Sequence, residues 1–127
     1  MASARIVICD DHQLIRQLIG DVLREDGHEV RETATVAEAL DELALGAVDV
    51  LVLDLHLRGA SGTEVLEHVR ADSMLAATPV ILLSGDFDGR SDDWARRYGA
   101  DAVLPKPFDP DVLSQTVSGL LARDTRS

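Results

Sequence analysis

Three carboxylates fall where short apolar runs end: Asp10 and Asp11 follow Arg5-Ile-Val-Ile-Cys9, and Asp54 follows Val50-Leu-Val-Leu53. A carboxylate at the tip of a buried strand lies against a low-dielectric core, so three brought together repel unless a cation or shared protons offset them. That cost points to a cation site. Ser84 and Gly85 follow Pro79-Val-Ile-Leu-Leu83 in the same way, and Lys106 stands just beyond Ala102-Val-Leu104. Taken singly, each has a plainer reading. Asp10-Asp11 would suit a helix N-terminus, Asp54 or Ser84-Gly85 a turn, and Lys106 a solvated surface. Their common register at the ends of successive runs outweighs those readings. His12, His28, His56 and His68 lack the spacing of metal ligands and read as surface residues.

The elements that must position these groups alternate along the chain. Apolar runs predict strands near 5–9, 29–33, 49–53, 79–83 and 101–104, and helical periodicity predicts helices near 12–26, 36–45, 62–71, 91–98 and 110–122. In the first helix Leu14, Leu18 and Val22 lie four apart with Ile15, Ile19 and Leu23 beside them, one broad apolar stripe that leaves Asp21, Arg24 and Glu25 for water. Thr35 with Glu38 and Ser61 with Glu64 fit capping boxes, and Asp109-Pro110 fits an N-cap followed by proline in the first helical position. The runs at 50–53 and 80–83 are apolar without alternation, as when helices cover both faces, whereas 29–33 alternates with charge and reads as an edge.

At 127 residues and 46% hydrophobic content the chain has the size of one domain, expected to span 1–127. Its 12 basic against 23 acidic residues give a net charge of −11, which argues against direct binding of nucleic acid. Cys9 is the sole cysteine, so neither an internal disulfide nor a cysteine metal cluster can form. No run approaches the ~18 apolar residues of a membrane helix, and the expected location is the cytoplasm.

The acidic pair with His12, Asp54-Leu55 with Gly62 following, Ser84-Gly85, and Gly99-Ala-Asp101 leading to Lys106-Pro107-Phe108 together resemble the receiver domain of bacterial two-component response regulators. The resemblance covers essentially the whole chain. It implies an α/β fold, a five-stranded parallel sheet of order 2-1-3-4-5 with five helices, doubly wound in the flavodoxin-like manner, whose site lies at the switch between strands 1 and 3. It also implies that Asp54 is the phosphoacceptor. Mg²⁺ would be held by Asp10, Asp11, Asp54 and the His56 backbone carbonyl. Lys106 and Ser84 would contact the phosphoryl group, with Gly85 and His56 beside it, and Pro107 would follow a cis peptide bond. The implied partners are a histidine kinase or phosphotransfer protein as donor, and a target protein or linked output domain as receiver of the signal. A homodimer stays open, because several surfaces are available. The activity is that of a signalling module rather than a turnover enzyme.

Two positions depart from the family pattern. Val103 stands where receivers carry Tyr or Phe, and a β-branched side chain has no ring to swing inward as Ser84 moves. The expected substitute is a smaller shift of the loop around 85–90; signalling through Phe87 or Tyr98, or little change at all, are the alternatives. Arg58 replaces a common proline, and His56 with Asp86 form a pair that could gate hydrolysis of the acyl phosphate. Trp94 and Tyr98 would lie near a face used for dimers or targets. The competing readings are a pseudo-receiver, acting as a constitutive binding scaffold, and a Mg²⁺-dependent phosphatase. The latter usually has a second acid two residues after its Asp nucleophile, where His56 stands here.

Overall fold

The structure, a computed structural model, describes residues 3–57, 59–85 and 99–124. Strands β1 (Arg5–Cys9), β2 (Glu29–Thr33), β3 (Val50–Asp54), β6 (Val80–Ser84) and β7 (Ala102–Pro105) form one parallel sheet in the order β2-β1-β3-β6-β7. Counting main strands alone, this is the expected 2-1-3-4-5 order. Between β3 and the third helix lie two further strands of two residues each, β4 (His56–Leu57) and β5 (Ala60–Ser61), paired antiparallel as a small hairpin. Four helices are found among the described residues: α1 (Gln13–Glu25), α2 (Val36–Ala44), α3 (Gly62–Ala71) and α4 (Pro110–Asp124). The helix expected at 91–98 lies outside the described residues, as do Arg58, Asp86, Phe87, Trp94 and Tyr98.

Strand alternation sorts the core into two layers. Val7, Cys9, Leu51, Leu53 and Leu82 face α2 and α3, where they meet Ala39, Leu43, Val65, Leu66 and Val69. Ile6, Ile8, Val50, Val52, Ile81 and Leu83 face the other way, onto Ile19 and Leu23 of α1 and Leu113 and Val117 of α4. β3 and β6 are buried along their whole length, whereas β2 is exposed on alternate residues at the sheet edge. Three strands end one residue later than their apolar runs suggest. Asp54 is still paired with Leu83, and Ser84 with Pro105, so the polar residue is the last rung of its strand rather than the first of its loop.

The stripe on α1 is turned relative to the expectation. Ile19 and Leu23 are fully buried, but Leu14 is 64% and Leu18 47% exposed. The apolar stripe is wider than the contact with the sheet, and Ile15, Ile19 and Leu23 lie on the side that the sheet covers. Asp21, Arg24 and Glu25 are exposed as expected, with Arg24 reaching Glu32 on β2 at 2.9 Å.

The caps hold the helix starts beside the rim. Thr35 Oγ1 accepts from Glu38 N, and the Glu38 carboxylate returns to the N–H of Ala34. Asp109 accepts from Asp111 and Val112. Ser61 Oγ accepts from Thr63 rather than from Glu64. At the opposite end of the sheet Arg70 donates to the carbonyls of Gly99, Ala76 and Thr78 and pairs with Asp101, whose carboxylate also receives Val80 N and Arg123.

Gly62 closes the hairpin against the end of β3. Its N–H donates to Leu55 O at 2.7 Å, and a Cβ on it would run into the Asp54 carbonyl oxygen and lie 3.1 Å from Leu55 Cα. Backbone cannot yield as a side-chain tip can, so Gly62→Ala is expected to cost roughly 2 kcal/mol. Thermal or denaturant unfolding checks this, and a wild-type midpoint would refute the close approach. The Cys9 thiol, pushed up to about 11 by burial and by the charges of Asp10 and Asp54, should resist alkylation at pH 8 in the native protein and react at the ordinary rate only after unfolding.

Candidate functional site

The β1 and β3 termini are neighbours in the sheet, and this alone brings the acids together. Asp10, Asp11 and Asp54 each offer a carboxylate oxygen within 4.8 Å of the others. Asp10 is fully buried and Asp54 nearly so. Lys106 Nζ lies 2.9 Å from Asp54 Oδ2 and 3.1 Å from Asp10 Oδ2, bridging the two. The second oxygens are held by backbone: His12 N donates to Asp10 Oδ1 at 2.8 Å, and His56 N to Asp54 Oδ1 at 3.1 Å. Lys106 is set in place through its own N–H, which donates to Ser84 O, and its peptide bond to Pro107 is cis as expected.

Burial pushes the Asp54 carboxyl above its usual range; the hydrogen bond from Lys106 opposes this and the neighbouring Asp10 charge adds to it. For Lys106 burial disfavours the ammonium, but its pairing with the Asp54 and Asp10 carboxylates outweighs that and raises its pKa. One ammonium thus serves two carboxylates, with a third beside them. Asp10 Oδ2 is ion-paired with Lys106 by distance, yet it is buried and accepts no hydrogen bond. A buried carboxylate oxygen left short of donors, inside a triad of acids, fits a hard divalent cation with oxygen ligands.

Of the remaining expected residues, Ser84 is buried at the end of β6 and Gly85 is exposed in the turn that follows. His56 presents its backbone N–H to Asp54 and its side chain to solvent. Val103 is half-buried and packs with the α2–α3 layer of the core. Two contributors were not legible in the sequence. The hairpin holds His56 opposite Ser61, but two-residue strands carry no periodicity. Arg16 donates to the Asp10 carbonyl at 2.9 Å; its one signal is a cation flanked by the apolar positions of α1.

A family model described as the response regulator receiver domain matches residues 6–118. The chain belongs to the receiver domain family. Among curated relatives, this receiver domain is 31% identical over 120 residues to the sensory/regulatory protein RpfC of Xanthomonas campestris, covering 93% of this chain and 16% of that protein. It is 30% identical over 123 residues to the phosphate regulon transcriptional regulatory protein PhoB of Escherichia coli, covering 95% and 53%. It therefore spans about half or less of these relatives. Among solved structures, CheY4 of Vibrio cholerae superposes with a TM-score of 0.87 at 29% identity over 94% of this chain and all of that one. The Francisella response regulator 1452 receiver domain gives 0.89 at 28% identity, over 96% and 99%. Receiver domains are signalling modules that bind Mg²⁺ at an acidic site and interact with histidine kinases and output domains. Among the described residues no helix is long and apolar enough to cross a membrane.

The raised Asp54 pKa has a thermodynamic sign. The folded state holds that proton more tightly than the unfolded chain, so its contribution to stability is fully present below the usual carboxylate pKa. It is lost as pH rises through the higher folded value. In chelator-treated protein, Asp54→Asn should therefore flatten the fall in melting temperature over that window and melt above wild type at neutral pH. A variant whose melting curve keeps the wild-type pH dependence would contradict this.

Proposed function

We propose that this receiver domain accepts a phosphoryl group on Asp54 from a phosphohistidine of a histidine kinase or phosphotransfer protein. An Asp54 carboxylate oxygen attacks phosphorus, the phosphorus–nitrogen bond breaks, and the imidazole leaves, so that an acyl phosphate forms. The observation that carries this reading is the buried Asp54 carboxylate, 2.9 Å from Lys106, in a triad of acids whose Asp10 Oδ2 accepts no hydrogen bond.

Each group at the rim then has a task. Lys106 exchanges its pairing with Asp54 for the phosphoryl oxygens, keeping a cation beside the added charge. The Ser84 hydroxyl donates to one of those oxygens once they are present, which pulls on the end of β6. Asp10, Asp11, Asp54 and the His56 backbone carbonyl would hold Mg²⁺, which supplies charge neutralisation for the carboxylates and the incoming phosphoryl group. Burial of Asp10 and Asp54 makes that neutralisation more valuable than it would be at an exposed site.

The output is a changed protein surface, read by a target protein or by a linked output domain; the acidic chain, at −11, makes nucleic acid a poor direct partner. The reading places this function in the cytoplasm and treats 1–127 as a single receiver. A second reading, a pseudo-receiver that binds constitutively, is favoured by Val103. A half-buried valine packed into the core has few rotamers and no ring to move between two sites.

Intact-protein mass after incubation with Mg²⁺ and acetyl phosphate separates the two. Wild type is expected to gain one labile phosphoryl adduct that Asp54→Asn does not form and that chelation of Mg²⁺ prevents. Folded, Mg²⁺-binding protein that stays unmodified by acetyl phosphate and by a phosphorylated histidine kinase would establish the scaffold instead.

A further inference from the structure

Asp10 is held through its backbone as well as its carboxylate. Its N–H donates to Thr33 O at 3.1 Å, and its carbonyl accepts from Arg16 Nη1 at 2.9 Å. That carbonyl belongs to the peptide joining Asp10 to Asp11, so the plane of this peptide sets how the two acids are aimed relative to one another. The Arg16 side chain is itself only 17% exposed, and its Nε lies 3.5 Å from Glu32 Oε1 on the edge strand. The other Glu32 oxygen accepts from Arg24 at 2.9 Å. Arg24, Glu32 and Arg16 thus form a series of charged groups that runs from the surface of α1 and β2 to the peptide between the acids.

We infer that Arg16 is a positioning residue for divalent-cation binding by the Asp10–Asp11 pair, held in place by Glu32. The inference rests on the cation site of the proposed function. A charge-assisted hydrogen bond fixes a carbonyl more firmly than a neutral one, and groups that orient metal ligands influence affinity without touching the metal. Two effects of Arg16 oppose each other. As a nearby positive charge it repels a divalent cation, so removing the charge alone would tighten binding. As the group that fixes the Asp10 carbonyl it aims the ligands, so removing it would loosen binding. The sign of the change decides between them.

Mg²⁺ titration by calorimetry, on wild type, Arg16→Met and Arg16→Lys, is the test. Arg16→Met is expected to weaken Mg²⁺ binding about ten-fold, the lower part of the range for groups that orient metal ligands. Arg16→Lys keeps the charge but lacks the fork that reaches both the carbonyl and Glu32, and is expected to recover part of the loss. In parallel, the Mg²⁺ concentration giving half-maximal phosphorylation by acetyl phosphate should rise in step, while the rate at saturating Mg²⁺ stays at the wild-type value. Unchanged or tighter binding by Arg16→Met overturns the inference, as does a lower saturating rate with an unchanged Mg²⁺ requirement. If Arg16→Met does not fold, Arg16→Lys decides: its charge is preserved, so weaker binding supports positioning and wild-type binding overturns it. Wild type that binds no Mg²⁺ removes the cation site itself, an outcome read before any variant is compared.

Discussion

The ammonium of Lys106 between the carboxylates of Asp10 and Asp54 is the contact around which the rim of the sheet is organised. It joins residues from the ends of β1 and β3 and from the loop after β7, and it does so where water is largely excluded. Two buried acids sharing one base are a costly arrangement, since desolvation of each ion offsets much of the attraction. The folded chain tolerates that cost because the remainder of the sheet is apolar and well covered on both faces. The raised pKa of Asp54 is the residue of that imbalance. A group that brings positive charge to the triad relieves it, and a group that brings negative charge must bring its own compensation.

Backbone geometry, more than side-chain packing, delivers these groups to one place. Parallel strands with crossovers on alternate faces put every carboxyl end at the same rim, and the order β2-β1-β3-β6-β7 makes β1 and β3 neighbours at the point where the winding reverses. Asp54 and Ser84 occupy the last rungs of adjacent strands, and the N–H of Lys106 is hydrogen-bonded to the carbonyl of Ser84. The rim is thereby registered by the same hydrogen-bond ladder that holds the sheet. Shape similarity to CheY4 and to the Francisella receiver at identities below one third is consistent with a frame set by this ladder rather than by particular core residues.

Much of this was legible in the sequence because the informative residues terminate apolar runs, and a run's end is a local property. Asp10, Asp54, Ser84 and Lys106 could each be placed from their own neighbours, and parallel topology did the rest. The orientation of α1 was less legible: six apolar residues form a stripe broader than the sheet can cover, so Leu14 and Leu18 face water while Ile19 and Leu23 do not. The hairpin at 56–61 depends on Gly62 fitting against the Asp54 carbonyl, a contact no periodicity encodes. Arg16 escaped notice because its partners are a backbone carbonyl and a glutamate on another strand. Local patterns identify which elements form, whereas the contacts between them follow from assembly.

The grip of Arg70 on Gly99 reaches beyond packing. Gly99 takes φ +89°, a conformation that favours glycine, and a Cβ there would press on the Arg70 guanidinium, 3.1 Å from Nε. Gly99, just ahead of β7, is moored to α3, and the N–H of Lys106, just past β7, is tied to Ser84, so β7 is pinned beyond both of its ends. The place of Lys106 at the rim is thereby anchored to α3 and to β6 at once, through one arginine side chain and one backbone hydrogen bond.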